Sequence, residues 1–110
     1  RVNVRNTPDA DDRLRYARMN LLAGEKAIQT PDFSSAIEYI ESGISFLDDG
    51  HWENEYDLSL ALFKNAASVA RSLGRSNHMT KSLNKVFDNA RCYEDKLDSM
   101  SVFIQSLVMA

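Results

Sequence analysis

The run from Trp52 to Gly74, WENEYDLSLALFKNAASVARSLG, constrains the chain more than any other stretch. Stepped at about 100° per residue, Trp52, Tyr56, Leu60, Phe63, Ala67, Ala70 and Leu73 share one side of a helix. Leu58, Leu62 and Val69 widen that side to roughly half the circumference. Only Glu53, Asp57, Lys64, Ser68 and Arg71 form a strip suited to water. A helix this apolar needs neighbours on two flanks, which places it centrally in a stack of helices. Its alanines let those neighbours come close.

The flanking segments read as further helices. Thr7-Pro8-Asp9 has the chemistry of a helix start, with Thr7 as N-cap, Pro8 at the first helical position and acids facing the dipole. Leu14, Ala17, Leu21 and Ile28 mark the buried face of this first helix, which runs to about Gln29, with Met19, Leu22 and Ala23 beside it. Thr30-Pro31-Asp32 interrupts the pattern and Asp32 caps a second helix carrying Phe33, Ala36, Ile37, Ile40, Gly43, Ile44 and Leu47. Gly43 in mid-helix costs ~1 kcal/mol against alanine, so it points to close contact with the first helix.

Asp48-Asp49-Gly50-His51 precedes the central run, and Gly74 is placed to stop it. Ser76 or Asn77 then caps a fourth helix with Met79, Leu83, Val86, Phe87 and Ala90. After a turn around Cys92–Asp95 comes a fifth, with Leu97, Met100, Ile104, Leu107 and Val108. That helix is still apolar at Met109-Ala110, as in a repeat array cut before its next member. The expectation is an all-α chain of about five helices in antiparallel pairs. Residues 1–7 form a polar lead-in and 8–110 a single helical-repeat domain, itself a fragment of a longer array.

Composition agrees with this. The chain has 110 residues, enough for one core, and 44 % hydrophobic with 26 % charged residues is a globular balance. Four glycines and two prolines are too few for a fold of many tight turns. The net charge of −3, with both signs interspersed, leaves no basic stripe for nucleic acid. No apolar run approaches the ~18–20 residues of a membrane span, and no signal-peptide pattern opens the chain. The single Cys92 cannot form an internal disulfide, which suits a reducing, cytoplasmic setting.

Gly24, Ala36, Ile40 and Gly43 fit the spacing at which a tetratricopeptide unit places small and aromatic residues where two helices cross, with Asn20 and Ala27 at its tryptophan and tyrosine positions. Over residues 36–110 the chain further resembles the helical region that follows a serine/threonine kinase domain and an AAA-type ATPase in giant signalling proteins, ahead of a sensor and histidine-kinase half. The signals are Trp52 after an acidic turn, Tyr56, Leu58, Leu60, Ala66-Ala67, Leu73-Gly74, Ala90 and Asp95-Lys96. Arg75 and Ser76 stand where that family carries an acidic residue and an aromatic. The resemblance implies a right-handed tetratricopeptide-like array with no reaction of its own, coupling an ATPase or kinase region to output domains or binding a protein partner.

Sites of chemistry are sparse. There is no GxxxxGK[ST] loop and no kinase signature. His51, His78 and Cys92 are scattered, without a paired-histidine or CxxC spacing, so neither a metal nor a cofactor is expected. Cys92 without a neighbouring base reads as a small packed residue, and Asp48-Asp49 as a solvated loop. The sharpest rival is His78: His78-Met79-Thr80-Lys81-Ser82 loosely resembles the phospho-accepting segment of histidine phosphotransfer domains, with Ser82 in place of a glycine. Its place at a helix start favours a solvated histidine. The structural residues are Gly24, Ala36, Gly43, Trp52 and Gly74, with Trp52 as a core anchor pinning the loop before it onto the second and fourth helices. Tyr39 and Phe46, off the main apolar face, are expected to meet a partner or neighbouring domain, and Ile104, Leu107 and Val108 to support self-association.

Overall fold

A computed structural model describes residues 9–109. The chain is all-α. Six helices occur among the described residues: α1 (Ala10–Gln29), α2 (Phe33–Ser45), α3 (His51–Asn54), α4 (Tyr56–Ser72), α5 (Ser76–Asn89) and α6 (Glu94–Met109). The 1–7 lead-in, the Thr7 cap, Pro8 and Ala110 lie outside the described residues. Asp9, rather than Thr7, caps α1: its carboxylate accepts the Asp12 N–H at 2.9 Å and sits at the positive end of the helix dipole.

The turn Thr30–Asp32 folds α2 back along α1, and Asp32 Oδ1 accepts the Ser35 N–H at 3.2 Å. The glycines fix how closely the two helices approach. A β-carbon on Gly24 would lie 2.7 Å from Ile40 Cγ1, and one on Gly43 would lie 2.9 Å from Leu62 Cδ2 and 3.3 Å from the Ala17 carbonyl oxygen. Gly24 thus sits near Ala36 and Ile40, and Ala17 near Gly43, the register of an antiparallel pair. Ala17, Ala36, Ile37 and Ile40 are buried with Leu58, Leu62, Ala66 and Val69 in one core cluster.

The Trp52–Gly74 run is two helices, not one. It breaks at Glu55, whose φ of −135° and ψ of 57° leave the helical region. Backbone groups freed there find partners far along the chain. The Arg91 guanidinium donates to the carbonyls of Trp52 (3.3 Å) and Glu53 (3.2 Å). The Ser59 hydroxyl adds a second contact to carbonyls that already accept backbone N–H groups, 2.7 Å from that of Glu55 and 3.2 Å from that of His51. The buried centre also shifts. Leu58, Leu62, Ala66 and Val69 face the α1–α2 core, while Ala67 and Ala70 form a second cluster with Met79 and Leu83 of α5. Leu60 and Phe63 are only partly buried, because the most buried positions of α4 are those turned toward α2 and α5, its two largest contacts.

Gly74, at φ +74°, closes α4: its N–H donates to the Arg71 carbonyl at 3.0 Å and the Arg75 N–H to that of Ala70 at 2.8 Å, a Schellman turn. That turn runs straight into α5. Arg75 therefore occupies the N-cap, and Ser76 and Asn77 are already helical, without a side-chain cap.

Helices α1, α4 and α6 run parallel. Leu14 borders the same hollow as His51 and Glu55, and Arg18 reaches Glu55. Similarly, Tyr56 bonds Asp95, Lys64 pairs with Asp98 at 2.8 Å, and Arg71 borders Ser106. Each of α4 and α6 packs on both helices of the preceding pair. The units begin at Ala10, His51 and Glu94, intervals of about 40 residues against the ~34 of a tetratricopeptide unit. The result is elongated, 54 × 30 × 22 Å.

Candidate functional site

Helix α6 is turned outward. Its inward stripe is Asp95, Ser99, Val102 and Ser106, and of these only Val102 joins an apolar cluster, against Ala67, Ala70, Met79 and Leu83. Small and polar side chains suit this seat because α6 lies over part of the strip of α4 that the sequence assigns to water: Lys64, paired with Asp98, and Arg71 are part-covered there. The apolar stripe faces away, with Ile104 55 %, Leu107 63 % and Val108 76 % exposed, flanked by Leu97 and Phe103. These exposed aliphatic side chains form one contiguous stripe on a single helix face rather than being scattered over the surface.

A second apolar surface lies across α1 and α2. Tyr39 is exposed and Phe46 half-buried, and both line a shallow hollow with Tyr16, Met19 and Ala23. The Tyr16 and Phe46 rings lie 5.3 Å apart. Arg13 covers Phe46 from the side at 5.6 Å while donating to Asp48 and to the Ser45 carbonyl. Phe46 is thus held in place by α1, and Tyr39 and Met19 are the free members.

His78 sits in the first turn of α5, where its Nε2 meets a Glu41 carboxylate oxygen of α2 at 2.5 Å. An ionised carboxylate only accepts, so Nε2 carries the hydrogen and is not a free nucleophile. Nε2 is thus engaged across a helix interface, while Nδ1 makes no side-chain hydrogen bond among the described residues. His78 and Glu41 bound an open groove of about 390 Å³ between α2, α4 and α5, floored by Ile44 and Phe63 and edged by Lys81 and Lys85.

Trp52 stays outside the two buried clusters. It is half-buried in an aromatic group at the α3–α4 break, 5.5 Å from Phe63, 6.0 Å from Tyr56 and 5.6 Å from His51. The expected anchor onto the second and fourth helices is replaced by this local stack, because the break at Glu55 redirects α3. Sequence reasoning missed the pair beneath it. His51 Nδ1 is 2.7 Å from Ser59 Oγ, and Ser59 is fully buried. Since the Glu55 carbonyl takes the Ser59 hydrogen, His51 Nδ1 bears a proton and donates to Oγ. Burial, then the Lys85 charge, hold the His51 pKa below 6.5, with Asp49 opposing.

Ser59 is thus a structural brace rather than an activated nucleophile: its hydroxyl is committed to backbone carbonyls in a site closed to solvent. The eight-residue spacing of His51 and Ser59, across a helix break, gives no periodic signal by which sequence could have paired them. Cys92 is exposed in the α5–α6 turn, not packed, since α5 ends at Asn89 and leaves residues 91–93 on the surface. No group of three or more His, Cys, Asp or Glu side chains positioned to hold a metal occurs among the described residues. None of the described helices is long and apolar enough to cross a membrane.

Compared with protein-family models, with curated proteins and with solved structures, the chain matches none.

Proposed function

We propose that this chain is a non-catalytic helical-hairpin array whose task is to pack against protein. The observation that carries the reading is the orientation of α6, which seats Ser99 and Ser106 inward and leaves Ile104, Leu107 and Val108 largely in solvent. Each of these aliphatic side chains, 55–76 % exposed, forgoes part of the roughly 1.5–3 kcal/mol that full burial supplies. A surface that recovers this by covering them gains affinity without rearranging the core. The parallel stacking of α1, α4 and α6 supports the array part of the reading, with a unit length longer than that of tetratricopeptides. A place beside the ATPase and kinase regions of a signalling protein rests on the resemblance of residues 36–110 alone.

A second copy of the chain is the simplest partner to test. Sedimentation velocity across a concentration series, with the wild type beside Ile104→Glu/Leu107→Glu, is the experiment. Association that grows with concentration in the wild type and is absent from the substituted chain is the expected result. A monomer at every concentration, in both chains, counts against self-association through this face.

A further inference from the structure

The groove between α2, α4 and α5 is independent of the α6 surface and has a chemistry of its own. Lys81 and Lys85 stand one helical turn apart on the exposed edge of α5, with His78 on the same edge. Like charges at this spacing repel and weaken a helix. Neither lysine has a carboxylate within ion-pair distance among the described residues, which is also true of Lys26, Arg71, Arg75, Arg91 and Lys96, but Lys81 and Lys85 stand together on one groove. The Lys85 charge also reaches His51 and, after burial, lowers the pKa of that ring. Glu41, the one acid lining the groove, is already engaged by His78. A chain of net charge −3 therefore carries a local positive rail beside an apolar floor of Ile44 and Phe63.

We infer that this groove binds an acidic peptide segment in extended conformation, with carboxylates on Lys81 and Lys85 and an apolar side chain on Phe63 and Ile44. The charge complements the rail, and the spacing complements it too. Side chains two apart on an extended strand project from the same face about 6–7 Å apart, close to the separation of residues one turn apart on a helix. An alternating acidic segment can thus meet both lysines while its next same-face residue reaches the floor. The groove is open and about 390 Å³, room for one side chain and its backbone. Two lysines on an acidic protein are too few to hold nucleic acid, which needs a longer run of neutralised phosphates.

The test is fluorescence anisotropy with a short fluorescein-labelled peptide repeating glutamate-serine-glutamate-serine-leucine, and a matched peptide with glutamine for glutamate. Both are titrated with the full chain, and with Lys81→Glu/Lys85→Glu and Ile104→Glu/Leu107→Glu, each first shown to be helical by circular dichroism. Expected are saturable binding of the acidic peptide that weakens with salt, a roughly tenfold or greater loss for Lys81→Glu/Lys85→Glu, and no change for the α6 variant. Equal binding of the glutamine peptide, unchanged binding by the lysine variant, or no saturation by about 1 mM would overturn the inference. Free glutarate competing as well as unlabelled peptide would also overturn it, showing a small-anion site. Because the groove and α6 variants differ, failure here leaves the α6 reading intact, and the reverse.

Discussion

Gly43 and Leu62 are in contact at the point where three helices meet. A β-carbon at Gly43 would stand 2.9 Å from Leu62 Cδ2, with the Ala17 carbonyl at 3.3 Å on the other side. Leu62 is fully buried and cannot swing into solvent. Gly43→Ala gains ~1 kcal/mol of helix propensity but overpacks the contact by roughly 1–3 kcal/mol, so a net loss of about 1 kcal/mol is expected. Gly43→Val, with more volume and no propensity gain to match, is expected to lose about 2–3 kcal/mol. Urea midpoints measure both, and a valine variant as stable as wild type would refute the close-contact account.

Gly74 answers to a different constraint. No atom lies within 4 Å of where its β-carbon would be, so only its φ of +74° is at issue. Gly74→Ala is expected to cost ~1–2 kcal/mol, and Gly74→Asn less, since asparagine tolerates the left-handed region. Thermal melts of the two variants should therefore rank asparagine above alanine.

Ser59 and Ser99 are both buried, and opposite outcomes are expected for their removal. The Ser59 hydroxyl has partners at 2.7 Å in Glu55 and His51. Ser59→Ala strands the His51 N–H and is expected to cost ~1–3 kcal/mol, with a change in Trp52 fluorescence as the α3–α4 break loosens. Ser99 is 1 % exposed, and its Oγ has no hydrogen-bond partner among the described residues. Ser99→Ala is therefore expected to be neutral or to stabilise by about 1 kcal/mol. Equal losses from the two substitutions would show that packing, not hydrogen bonding, decides both.

The His51 ring makes stability depend on pH. Burial and Lys85 lower its pKa in the folded chain relative to the ordinary 6.5. Below that value the unfolded chain binds the proton more readily, so stability rises with pH. It is complete above pH 6.5 and declines as pH falls through 6.5 toward the lowered folded value. Melting temperatures measured from about pH 8 to about pH 5 should fall less steeply for His51→Gln than for the wild type. Parallel slopes would exclude this ring as the source.

Much of the fold was legible because its signals are local. Asp32 as a cap, Gly74 as a stop, and the stripe Ala36, Ile37, Ile40 and Gly43 are each decided within a turn or two of chain. The break at Glu55 was not, since the donor that makes it tolerable is Arg91, brought back by the whole α4–α5 hairpin. Arg75 displaced Ser76 from the cap position because the Schellman turn sets where α5 begins. Of the surfaces, the exposed face of α6 could be read from its periodicity. The groove could not, because Glu41, Phe63 and Lys81 share no helix and meet only once α2, α4 and α5 are packed.

The inward stripe of α6 has a dynamic consequence. A helix held by Ser99, Ser106, the Tyr56–Asp95 hydrogen bond, the Lys64–Asp98 ion pair, a half-buried Met100 and one valine in the core cluster has little hydrophobic area to lose when it lifts away. Its opening free energy should lie well below that of α2 or α4, and its amides should exchange with solvent first. Whatever covers Ile104, Leu107 and Val108 would then slow that exchange as it binds, so docking and ordering become a single transition. Hydrogen exchange along α6 would thus register a partner before any change elsewhere in the chain.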